Sequence, residues 1–268
     1  MKKISCIFLM IAGPLLWGKG SFAQDFRLLA TIAQEARITR LDHLGNLYVL
    51  DVQGELYKYG AEGQLLWTYS NKLYGMAGAL DVSDPLRVLL YYPAYQQVLV
   101  LNSNLAEISR YSFNEKPDWQ VTLVASANTN GYWIYEQLNR ELRKLSTNFV
   151  EDLRSGNLYQ RNGFDMHGVF MLSDEQQVYV YDTLAGVRIF DKYGNYLKTA
   201  AVFPDRVFTV VQPEIYYVKD GRLLCYNYFN FTEKVLALPR EGFKDAVLSF
   251  NRLAIINEKD ITLWALKQ

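Results

Sequence analysis

Few residues in this chain could do chemistry. His43 lies in Leu41-Asp42-His43-Leu44-Gly45 and reads as a polar hairpin residue. His167, in Asp165-Met166-His167-Gly168, precedes an apolar run, and an aspartate two residues away could orient it as a general base. No serine or cysteine in a nucleophile elbow accompanies it, and no second ligand cluster does. Cys225 sits in LLCYN among apolar neighbours, the setting of a buried, inert thiol. A divalent cation would need about six oxygen ligands. The runs best suited to line a central site, ITRLD, ALDV, VTLVA, VFML, FTVV and AVLSF, supply only Asp42 and Asp81 as carboxylates. Phosphate-cradling loops and CxxC pairs are absent. The expectation is a protein that holds a partner: no catalytic residue, no metal ligand and no cofactor.

The elements that would position these residues recur. LYVLD at Leu47 returns as VLLYY at Val88, YWIYE at Tyr132, VYVYD at Val178, IYYVK at Ile215 and LAIIN at Leu253, in steps of 41, 44, 46, 37 and 38 residues. A strand-built period near forty with no helical pattern between is the signature of propeller blades around an axis. Blade 1 lays out as Ile38 to Asp42, Leu47 to Asp51, Glu55 to Tyr59 and Leu65 to Ser70, joined at Gly45-Asn46, Gln53-Gly54 and Ala61-Glu62-Gly63. The run from Val178 overlays it almost residue for residue. Blade 2 turns at Tyr95-Gln96. Blade 5 turns at Lys219-Asp220-Gly221, with an outer strand expected over Lys234 to Leu238.

The sixth blade has only three strands before the chain stops at Gln268. The missing one is expected at the other end, where Phe26, Leu28, Ala30 and Ile32 alternate with polar neighbours. Joining ends some 240 residues apart costs on the order of 5 kcal/mol, and burying each large apolar side chain returns about 1.5 to 3 kcal/mol, so closure is favoured. The fold class is thus all-β: a six-bladed β-propeller with four-stranded blades, closed by an N-terminal strand.

Lys2 and Lys3, an apolar stretch from Ile7 to Trp17 and Ser21-Phe22-Ala23 read as a secretory signal peptide over residues 1–23, cut near Ala23, with residues 24–268 as one propeller domain. The apolar run falls short of a membrane span and Pro14 interrupts it, so no span is expected in the mature chain. Cleavage would leave Cys225 without an intramolecular disulfide partner. Lys plus Arg equals Asp plus Glu at 28 each, which gives no field to draw nucleic acid or an anionic surface. The 15% of aromatic residues suits strands, which pack flat side chains on pleated surfaces.

GNLYVLDVQGELYKYGAEGQLLWTYS resembles the repeat unit of six-bladed periplasmic propellers of the NHL and quinoprotein-like kind, in which a glycine turn (here Gly63) precedes the fourth strand and a tryptophan (Trp67) lies on it. SDPLRVLLYYPAYQQVLVLNSNL, from Ser83 to Leu105, resembles secreted propellers of Bacteroidota, and Asp182-Thr183-Leu184 is similar to the O-glycosylation signal of that phylum. The resemblance implies a periplasmic or secreted protein and, by analogy alone, an accessory or gating subunit of an outer-membrane translocon of the type 9 kind. For binding, Tyr91, Tyr92 and Tyr95 cluster at one turn, Tyr226, Tyr228, Phe229 and Phe231 at another, and His167 could face the channel mouth. One of Tyr91 and Tyr92 is expected to point into a core. The leading reading is an exported, non-enzymatic scaffold for another envelope protein. A metal-dependent hydrolase of the gluconolactonase-like kind and a sensor of carbohydrate or another small ligand are the alternatives.

Overall fold

The computed structural model describes residues 26–127 and 131–266, and the expected signal peptide lies outside them. Each recurrence of the β-branched and aromatic run is the second strand of a four-stranded antiparallel sheet. The described residues open with β1 (Phe26–Ile32). Blade 1 follows as β2 (Ile38–Leu41), β3 (Leu47–Leu50), β4 (Glu55–Tyr59) and β5 (Leu65–Ser70), and blade 2 as β6 (Ala79–Asp81), β7 (Val88–Tyr92), β8 (Gln97–Leu101) and β9 (Glu107–Ser112). Blade 3 is β10 (Val121–Ser126), β11 (Tyr132–Glu136), β12 (Glu141–Leu145) and β13 (Glu151–Arg154); blade 4 is β14 (Gly168–Ser173), β15 (Gln177–Asp182), β16 (Gly186–Asp191) and β17 (Tyr196–Ala200). Blade 5 is β18 (Phe208–Val211), β19 (Glu214–Lys219), β20 (Arg222–Asn227) and β21 (Thr232–Val235). Blade 6 is β22 (Asp245–Ser249), β23 (Arg252–Ile256) and β24 (Ile261–Leu266), completed by β1, which pairs antiparallel with β24.

The core lies between blades. Six apolar clusters each join one blade to the next, including blade 6 to blade 1. Both faces of each sheet are therefore covered, and the second strands are buried almost throughout, as in LYVL of β3 and VLLYY of β7. That double burial is why they read as continuous apolar runs where a sheet with one wet face would alternate. The outer strands, such as LLWTYS of β5 and TEKV of β21, are largely exposed.

Three expectations shift. In β1 a bulge between Leu28 and Ala30 inserts one residue, so Leu28 turns to solvent while Leu29 and Ala30 pack against the cluster between blades 6 and 1. The outer strand of blade 5 ends at Val235 and begins at Thr232, earlier than expected, because the Asn227 side chain accepts the Phe229 and Asn230 N–H groups and tightens the preceding turn. A one-turn helix, α1 (Leu158–Asn162), capped by Asn157, interrupts the connection between blades 3 and 4. Gly63 shows why the third turn of blade 1 needs glycine: its φ is +88°, and a Cβ there would meet the Ala30 Cβ at 2.2 Å, where the closing strand presses on blade 1.

Candidate binding face and channel

Alternating strand direction gives the ring two unlike faces. One carries the turns between first and second strands and between third and fourth strands; the other carries the blade-to-blade connections and the turns between second and third strands. We call them the turn face and the linker face.

Tyr91 and Tyr92 are both buried, on opposite sides of blade 2. Since both sides of a blade are core, alternation sends neither to solvent. The Tyr91 hydroxyl donates to the Val121 carbonyl at 2.7 Å and ties blade 2 to blade 3. Tyr95, on the linker face, is exposed and meets Tyr74 edge-on at 5.8 Å. His167 is exposed on the same face, but Asp165 does not orient it: that carboxylate pairs with Arg140 at 3.0 Å. Among the described residues only the backbone of His167 is engaged, its N–H donating to the Asp182 carboxylate and its carbonyl accepting from the Thr183 N–H.

Asp182 is itself buried and structural. It pairs with Arg188 at 2.8 Å and accepts from the Leu184 N–H. Burial alone would raise its pKa, but Arg188 and the Leu184 and His167 N–H groups outweigh burial and hold the carboxyl below the ordinary aspartate value. In blade 3 the buried Arg143 pairs with Glu141 at 2.8 Å and Glu151 at 3.0 Å, with the buried Glu136 at 3.8 Å. Cys225 is buried, and desolvation followed by the neighbouring Glu214 pushes its thiol up to about 11, far from a thiolate nucleophile. Among the described residues, no three His, Cys, Asp or Glu side chains gather as metal donors.

On the turn face, Tyr228 is buried with its hydroxyl 3.1 Å from that of Tyr179, and Lys198 donates to its carbonyl at 2.7 Å. It forms a platform for Phe229, whose ring centroid lies 5.2 Å away. Phe229, Phe231 and Phe250 are 67%, 70% and 68% exposed. Phe231 and Phe250 also hold φ at +60° and +43°, a region a bulky side chain occupies only under strain. Between Phe250 and the Tyr179–Tyr228 pair runs a groove of 340 Å³ bordered by Asp174, Glu175 and Gln212, the last donating to Asp174 and to the Tyr179 hydroxyl. Nearer the axis, a hollow of 490 Å³ is edged by Asp42, Asp84, Asp174 and Glu175. The sequence marked Tyr228 and Phe229 and, beside them, Phe231; Phe250 and the acidic groove carry no local sequence signal, since the groove is assembled from turns of three successive blades, 4, 5 and 6.

The linker-face mouth of the channel has the opposite character. A cavity of 410 Å³ is lined by Arg37, Arg40 and Arg206 with Asp245 as the carboxylate. Arg40, on the inner strand of blade 1, reaches across the axis to place its guanidinium 4.9 Å from the Phe170 ring of blade 4. Its pKa is lowered by burial, which Asp245 and Asp81 only partly oppose, while burial raises the pKa of Asp245 against its Ala246 N–H bond and the pull of Arg40 and Arg206. A cation on an inner strand, Arg40 in ITRLD, was the available sequence signal.

No protein-family model and no curated protein sequence matches the chain. Solved structures do resemble it. The Pan2 WD40 domain of Neurospora crassa is 12% identical with a TM-score of 0.57, covering 92% of this chain and 97% of that one. BamB of Moraxella catarrhalis is 11% identical with a TM-score of 0.50, covering 86% and 82%. A catalytically inactive virginiamycin B lyase of Staphylococcus aureus, solved with quinupristin, is 9% identical with a TM-score of 0.58, covering 91% and 100%. At such identities the likeness is one of fold, and it agrees with the strand order: this chain is a six-bladed β-propeller.

Proposed function

We propose that this protein is an exported, non-catalytic propeller that holds another cell-envelope protein against its turn face. The observation that carries the reading is the set of Phe229, Phe231 and Phe250, each about two-thirds exposed, two of them at backbone angles that glycine or asparagine would adopt more cheaply. An exposed phenylalanine on strained backbone costs both solubility and stability, and contact with a partner is what offsets such costs. The acidic border of the adjoining groove selects the partner's chemistry: apolar side chains flanked by lysine or arginine. The lysines followed by an apolar stretch in residues 1–23 support export and a periplasmic or secreted location. The NHL-like repeat and the Bacteroidota-like segment belong to the same proposal, as does service to an outer-membrane translocon. The likeness in fold to a lyase keeps catalysis as the rival.

The test pairs capture with stability. Tagged wild-type protein should recover a specific partner from a gently solubilised native envelope extract, and a Phe231→Gly/Phe250→Gly variant should not. That variant should melt no lower than wild type, because glycine relieves about 1 kcal/mol of strain at each left-handed position. Recovery of the bait alone, or equal capture by the variant, overturns the proposal.

A further inference from the structure

The arginine-lined end of the channel is a second site, separate from the aromatic face. Its lining holds three guanidinium groups and one carboxylate, an excess of positive charge in a cavity open to the linker face. Arg37 is partly committed, donating to the Ala77 carbonyl across to the next blade. Arg40 donates from Nη1 to the Thr39 carbonyl at 2.9 Å and stacks on Phe170, and among the described residues neither Arg40 nor Arg206 pairs with a carboxylate. The remaining edge of the Arg40 fork is thus held in place, by its contact with the opposite blade, with no acceptor. Around it stand Phe170, Met171, Leu123 and Val124, an apolar wall beside the Arg40 guanidinium. Below Arg40 the channel narrows to a hollow of 110 Å³, so the guanidinium and the Phe170 ring form a floor.

We infer that this cavity binds a small carboxylate with an apolar body, the carboxylate paired with the outward edge of Arg40 and the body against Phe170 and Met171. A planar fork that offers two parallel donors matches a carboxylate better than a spherical ion. The volume is that of a site for a small organic ligand, and an apolar wall with a few convergent polar groups is the usual make-up of one. Arg206, exposed at the rim, adds attraction on approach.

Calorimetric titration of the full mature chain at low salt tests this with 3-phenylpropionate, hexanoate and acetate, each beside its primary amide, and with inorganic phosphate. The two larger acids should bind at least about tenfold more tightly than their amides, the loss expected when a charged hydrogen-bond partner is removed. Acetate and phosphate should be weaker than either. Arg40→Met should abolish the preference for acid over amide, and in wild-type protein the Arg40 side-chain NMR signal should move with acid and not with amide, which keeps the test open if the variant misfolds. The Phe231→Gly/Phe250→Gly protein should bind the acid as wild type does, so failure here is distinguishable from failure at the partner face. No binding by any carboxylate, no preference over amides, phosphate binding as tight as the larger acids, or an unmoved Arg40 signal would each overturn the inference.

Discussion

The side chains that look most chemical are engaged in holding turns. Asp182 ends β15, accepts from the turn that follows, and neutralises Arg188 on β16. Asp182→Ala would leave Arg188 buried and unpaired, so it should cost about 3 to 5 kcal/mol in a urea melt. The sign with pH follows from the depressed carboxyl. The stability that Asp182 contributes is fully present above its unfolded pKa near about 4, and it is lost as pH falls through the lower folded value. An Asp182→Asn protein should therefore show a flatter acid limb than wild type, and parallel limbs would refute the assignment. Asp245 has the opposite sign. Its raised pKa means that protonation relieves a buried charge, so it opposes acid unfolding where Asp182 promotes it.

At the scale of the element, legibility depended on how many neighbours a strand has. The second strands, covered on both faces, are legible in the sequence as unbroken apolar runs, and glycine turns such as Gly45 and Gly54 set their ends. Outer strands have one sheet neighbour and much solvent, so their pattern is weak. The outer strand β21 starts two residues and ends three residues before the stretch its composition suggests, and the alternation in β1 does not show its bulge. The bulge makes a discriminating prediction. Leu29→Ser, facing the cluster between blades 6 and 1, should destabilise the protein by about 1 to 2 kcal/mol, whereas Leu28→Ser should change stability by no more than about 0.5 kcal/mol. Equal thermal shifts for the two would mean that the strand pairs without the bulge.

For the whole molecule, closure is the property that everything else rests on. Among the described residues, the strand β1 is all that covers the outer edge of β24, and its Ala30 meets the Gly63 turn of blade 1. Arg252 of blade 6 reinforces the seam by donating to the Ala61 carbonyl at 3.2 Å. Because each core cluster is shared by two blades, opening one seam weakens both neighbours. Removing residues 25–34 should lower and broaden the melting transition of the entire chain, and a cooperative transition at the wild-type temperature would overturn this account of the ring.

Sequence by itself determined the number of blades, their four-stranded make-up and the terminal strand that closes them, because each is written in local periodicity and turn chemistry. It also determined that Cys225 is buried, since its neighbours are apolar. Only the tertiary structure decided which aromatics meet solvent. Tyr91, Tyr92 and Tyr228 go under and Phe229 and Phe250 stay out, because burial depends on which blade lies alongside. It alone carried Arg40 across the axis to Phe170, some 130 residues away in the chain. The physical reason is common to both: strand identity is fixed by near neighbours in sequence, while the faces and channel of a ring are made by residues from opposite blades, whose meeting no short pattern encodes.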